Sequence, residues 1–192
     1  FLVRREALSM CSFFVTNIPF ELISMASVNC FLQARGPDLT KVYTDKESSI
    51  TWVHNLLHIT GEKTPQPFLN DPDLITTFNG QIYNYKDFCP TAVSDGYSIS
   101  VAYKNGQIPD LDGEFAIVIH DKNKGSIEII SDAFSTKPCW ISINGSNFAI
   151  SSYKSSNLAL GFREEDTFKT EPNTHYSLSL RNMSLKKKEI YN

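Results

Sequence analysis

Residues 74–85 read LITTFNGQIYNY, and this stretch decides how the rest of the chain is understood. Residues 74–78 carry β-branched and aromatic side chains and read as a short strand that runs into Asn79-Gly80. An isolated Asn-Gly pair is ordinarily a tight turn. Here it follows a strand and is continued by QIYNY, so Asn79 and Gly80 become candidates for a polar site at a strand end.

Working outward, short motifs recur in a fixed order. Met10-Cys11 comes first, then RGPD at 35–38, QPF at 66–68, SDGY at 94–97, LDGEFAIVIHD at 111–121 and SDAFSTKPCW at 131–140. Taken in this order, with NGQIYN and LDGEFAIVIHD as the specific parts, they resemble the glutaminase domain of asparagine synthetase-type enzymes, the class II glutamine amidotransferases. The resemblance runs from Met10 to the end of the sequence. It implies an α+β fold, the four-layer αββα sandwich of N-terminal nucleophile hydrolase type.

The residue patterns are compatible with that architecture. Residues 11–16 are apolar and read as a buried strand, and residues 21–33 have apolar or small residues at helical spacing before Gly36-Pro37. Residues 50–59 read as strand. Residues 114–120, 126–131, 139–143 and 147–151 read as a meander, followed by a last pair at 175–180 and 185–191. Tyr97, Ile99, Val101 and Tyr103 alternate as a strand would, whereas the resemblance implies a helix, and the helix is the expectation adopted.

Composition excludes several function classes. With 192 residues the chain suits one domain, and a formal charge of −3 with scattered basic residues gives no footprint for nucleic acid. Lys186 to Lys188 reads as a solvated strand or turn. The four cysteines contain no C-x-x-C pair, which argues against a zinc site or a dense disulfide framework and favours a reducing compartment. His54 and His58 are four apart but lie in a strand-like run without a neighbouring glutamate, so no metal is expected. No apolar run reaches a membrane-spanning length. A soluble, cytoplasmic protein without cofactor, nucleic acid or membrane partner is the expectation.

Cysteine at a mature N-terminus can act as nucleophile with its own α-amino group as base, which has a reference pKa of about 7.7–8.0. The expectation is therefore that residues 1–10 are an upstream or removable segment and that residues 11–192 are the amidotransferase domain, with no synthetase domain. Cys11 is the candidate nucleophile. The resemblance implies that the Asn79 side chain and the Gly80 backbone N–H form the oxyanion site, and that Asp95 binds the substrate α-amino group, with Gln81 standing where the family has glutamate. The family's HxRL segment supplies an arginine for the substrate α-carboxylate. In His54-Asn55-Leu56-Leu57 that position is Leu56, so recognition of glutamine requires another cation, for which Arg163 and Lys104 are candidates. Arg35 is expected to support the site.

The sequence thus points to hydrolysis of the side-chain amide of glutamine through a Cys11 thioester, releasing ammonia to a separate synthetase subunit. Two alternatives stay open: a degenerate, non-catalytic binding or regulatory module of the same fold, and an amidohydrolase acting on a different amide.

Overall fold

The computed structural model describes residues 10–58 and 62–191. The residues proposed as a removable segment, apart from Met10, and Ile59 at the end of one expected strand lie outside the described residues. Among the described residues, eleven strands make two antiparallel sheets. The first contains β1 (Ser12–Thr16), β2 (Leu39–Asp45), β3 (Ile50–Leu56), β7 (Trp140–Asn144), β8 (Asn147–Ser151) and β9 (Thr167–Lys169), in the order β2-β3-β1-β8-β7-β9. The second contains β4 (Leu74–Ile82), β5 (Gly113–Asp121), β6 (Ser126–Ser131), β10 (Thr174–Ser179) and β11 (Leu185–Glu189), in the order β11-β10-β6-β5-β4.

The central strands β1, β3, β5 and β6 are buried along both faces because both faces are covered. Between the sheets, Phe13, Val15, Ile50 and Trp52 of one meet Ile75, Val118, Ile129 and Leu178 of the other. Outside the first sheet lie α1 (Met25–Arg35) and α4 (Lys154–Ala159), sealed by Phe14, Val28, Leu32, Val53 and Ala149. Outside the second lie α2 (Tyr85–Phe88) and α3 (Tyr97–Lys104), with Phe78, Ile99, Ala102, Ile117 and Ile119 in the interface. Three apolar interfaces separate four layers, helix, sheet, sheet, helix, and the expected αββα sandwich is what the chain forms.

Residues 97–104 are helical, as the resemblance implies and the alternation does not. The segment lies on the outer face of a sheet, so burial recurs at Ile99 and Ala102, a helical interval, while Val101 is only half-buried. The first helix begins later than expected, at Met25, after a single 3₁₀ turn at Phe20–Leu22.

The expected meander is corrected. β5 and β6 pair with each other, but β7 and β8 belong to the opposite sheet, and β6 takes β10 as its second neighbour. The crossing occurs in the SDAFSTKPCW segment and is organised by the Asp132 side chain, which is 2% exposed. Its carboxylate accepts the Phe115 N–H at 2.9 Å, the Phe134 N–H at 2.8 Å and the Thr136 hydroxyl at 2.5 Å. A buried carboxylate with this many donors fixes the loop to the start of β5.

Candidate active site

Cys11 precedes β1, at the end of the first sheet. Its Sγ lies 3.4 Å from the Leu57 nitrogen, which donates to it, and the thiol in turn points to the Leu57 carbonyl oxygen at 3.8 Å. The RGPD motif holds that segment in place. Asp38 N–H donates to the Leu56 carbonyl at 3.0 Å and the Asp38 carboxylate accepts the His58 N–H at 2.7 Å. Gly36 comes so close to β3 that a β-carbon there would lie 2.1 Å from the Asn55 carbonyl oxygen. Arg35 is buried with its guanidinium over the Tyr153 ring at 5.1 Å, and its charge favours the thiolate of Cys11. Burial is the larger influence and raises the Cys11 pKa, and the charge of Asp95 raises it further.

The oxyanion candidates come from β4, an edge strand. Alternate N–H groups of such a strand point away from its only neighbour. Phe78 N–H is taken by Gln66 Oε1 at 2.7 Å and Ile82 N–H by an Asp95 carboxylate oxygen at 2.9 Å. Gly80 lies between them, and the same alternation aims its N–H at the open edge, where it lines a cavity of about 490 Å³ together with Cys11. Gly80 has φ +144°, and a β-carbon on it would stand 2.0 Å from the Glu114 carbonyl oxygen. Asn79 is 1% exposed, lines the same cavity, and has hydrogen-bond partners on neither Nδ2 nor Oδ1 among the described residues. A buried amide without partners is costly unless something else binds it, which is the condition of a ligand-binding group.

Asp95 is placed by two other motifs. Gly96 of SDGY packs against Phe68 of QPF so closely that a β-carbon would meet the ring at 2.3 Å, and the Tyr97 ring stacks edge-on to Phe68 at 5.1 Å. Gln66 ties QPF to β4 through Phe78 and the Thr77 hydroxyl. Burial raises the Asp95 pKa, against the Ile82 and Gly96 N–H groups that hold its charged form.

All six sequence-predicted residues, Cys11, Leu56, Asn79, Gly80, Gln81 and Asp95, line the one cavity. Gln81 is exposed at its mouth and Leu56 forms apolar wall. Neither of the cations suggested for the carboxylate is brought there. Lys104 pairs with Asp71 at 2.6 Å, and Arg163 with Glu165 at 2.6 Å and Asp166 at 3.1 Å. The site instead contains Lys137, paired with Glu114 at 3.1 Å, which motif reading alone does not single out. The signal was present as the single basic residue of the SDAFSTKPCW run. His54 sits within β3 with both ring nitrogens unpaired, and burial pushes its pKa down to about 3, so it is a neutral imidazole. Among the described residues no group of three or more His, Cys, Asp or Glu side chains is disposed to hold a metal ion. No helix in the same residues is long and apolar enough to cross a membrane.

The chain is 32% identical over 116 residues to the glutamine-hydrolysing asparagine synthetase 2 of Bacillus subtilis, a match covering 54% of this chain and 15% of that protein. It is 28% identical over 124 residues to a Methanocaldococcus jannaschii sequence assigned as a glutamine-hydrolysing asparagine synthetase, covering 60% of this chain and 23% of that one. The chain therefore matches less than a quarter of the length of these curated relatives. The glutamine phosphoribosylpyrophosphate amidotransferase of B. subtilis, solved with ADP and GMP, shares the fold with a TM-score of 0.67 at 16% identity, over 94% of this chain and 49% of that one. The profile of the family described as the glutamine amidotransferase domain matches residues 10–188, and the chain belongs to that family.

Proposed function

We propose that this domain hydrolyses the side-chain amide of glutamine through a covalent Cys11 thioester. The observation that carries the reading is the unpartnered, buried Asn79 amide beside the Gly80 N–H, both on the cavity that holds Cys11. The Cys11 thiol is kept neutral by burial and needs a base. Once the segment ending at Met10 is removed, the α-amino group of Cys11 takes the thiol proton. Sγ then attacks the amide carbon and the carbonyl electrons move to oxygen, which accepts hydrogen bonds from Asn79 Nδ2 and the Gly80 N–H. Collapse breaks the C–N bond, the amine returns its proton, and ammonia leaves. Water then attacks the thioester, the C–S bond breaks, the acid leaves as product and the thiol is regenerated. Asp95 holds the substrate amino group, with Gln81 beside it at the mouth.

By analogy with the asparagine synthetases, the ammonia passes to a separate synthetase partner in a cytoplasmic setting. The test is ammonia release from glutamine by protein beginning at Cys11. Turnover that Cys11→Ala abolishes is expected. Equal turnover by the Cys11→Ala variant, or none by correctly processed protein with any amide, overturns the reading and favours a non-catalytic module.

A further inference from the structure

Lys137 is the only lysine or arginine among the described residues lining the Cys11 cavity. It is 8% exposed, and its ammonium makes one ion pair, with Glu114 Oε2 at 3.1 Å. An ammonium has three donors and Lys137 lines the cavity, so one carboxylate partner leaves donors for a ligand there. Glu114 stands directly across the β4–β5 ladder from Gln81, at the mouth of the same cavity. Neither member of the pair is placed by chance. The Asp132 carboxylate binds the N–H of Phe115, next to Glu114, and also the Phe134 and Thr136 N–H groups of the loop that carries Lys137. One buried side chain therefore sets both partners.

We propose that Lys137 is the anchor for a carboxylate on the amide substrate, making the site selective for ω-amides of carboxylic acids, amino-acid amides included. This rests on the amide-hydrolase reading of the same cavity. Leu56 offers a carboxylate no hydrogen bond, and the cavity otherwise presents the carboxylates of Glu62, Asp95 and Glu114, which repel one. Asp95 and Lys137 together suit a zwitterionic end, amine towards Asp95 and carboxylate towards Lys137. Glu114 holds the lysine in place until substrate arrives. A buried ammonium is poorly hydrated, so an added charge-assisted bond from substrate has large effect.

The test is calorimetric binding of three amides to the full chain carrying Cys11→Ala, so that binding is read without turnover. Glutamine carries both end groups, 4-carbamoylbutanoate only the carboxylate, and 4-aminobutanamide only the amine. Lys137→Met is expected to weaken the first two by about ten- to a hundredfold and to leave 4-aminobutanamide within about twofold. Lys137→Arg is expected to restore most of the loss. Should the methionine variant fail to fold, Lys137→Gln makes the same comparison. Equal weakening of all three ligands, unchanged binding of 4-carbamoylbutanoate, or no binding of it by the parent overturns the proposal. Ammonia release by the processed protein with Cys11 intact judges the hydrolase reading separately, so the two failures are distinguishable.

Discussion

Gly80 approaches Glu114 so closely that no side chain fits between them: a β-carbon on Gly80 would sit 2.0 Å from the Glu114 carbonyl oxygen. The contact is with backbone, which cannot rotate away, and φ of +144° is itself a region that essentially only glycine occupies. Gly80→Ala is therefore expected to cost about 3 kcal/mol or more of stability. Denaturant unfolding checks this, and a change under about 0.5 kcal/mol would show that β4 does not pass so near β5.

Asn79 separates function from stability. Its amide has no partner among the described residues, so truncation removes no protein hydrogen bond. Asn79→Ala is expected to lower kcat by about a hundred- to a thousandfold with little change in KM, because the lost donor acts on the developing oxyanion. The thermal midpoint should not fall. A variant that retained kcat but unfolded early would mark Asn79 as a structural residue instead.

The buried His54 gives the fold an acid limit. Its pKa is about 3 in the folded state against about 6.5 when unfolded, so the unfolded chain binds more protons between these values. A depressed histidine pKa means that stability is intact above about 6.5 and declines as pH falls towards the folded value. Going from pH 6.5 to 5 should remove about 2 kcal/mol through this group alone. Both ring nitrogens are unpaired, so His54→Leu should flatten the decline between pH 7 and 5 in urea titrations. An unchanged slope would assign the acid sensitivity to other groups.

The parts of the site legible in the sequence are those carried by short contiguous motifs. Asn79-Gly80 stood out as an Asn-Gly pair continuing a strand, and the resemblance to the amidotransferase family supplied its role and that of Asp95. What stayed hidden depends on partners distant in sequence. β2 carries exposed Leu39 and Val42 at a sheet edge, so it lacks the burial pattern that marks a strand. Glu114 read as the first residue of a strand, and Lys137 as one position of the SDAFSTKPCW motif with no role of its own. Their pairing exists only because Asp132 joins that loop to β5. Likewise, hydrophobicity shows that strands follow one another between residues 113 and 151 but not which sheet each joins. The absence of an arginine at position 56 was plain from the sequence, whereas the cation that lines the cavity in its place was not.

The hydrolytic mechanism depends on the nitrogen of Cys11 being an amine, since an amide nitrogen cannot accept the thiol proton. The most direct test is treatment with a diazo-ketone analogue of glutamine, followed by intact mass and peptide mapping, for protein that begins at Cys11 and for protein that retains residues 1–10. A single adduct on Cys11 of the first, with little or none on the second, is the expected result. An unmodified Cys11 in protein with a released amine, or equal labelling of both forms, would contradict it.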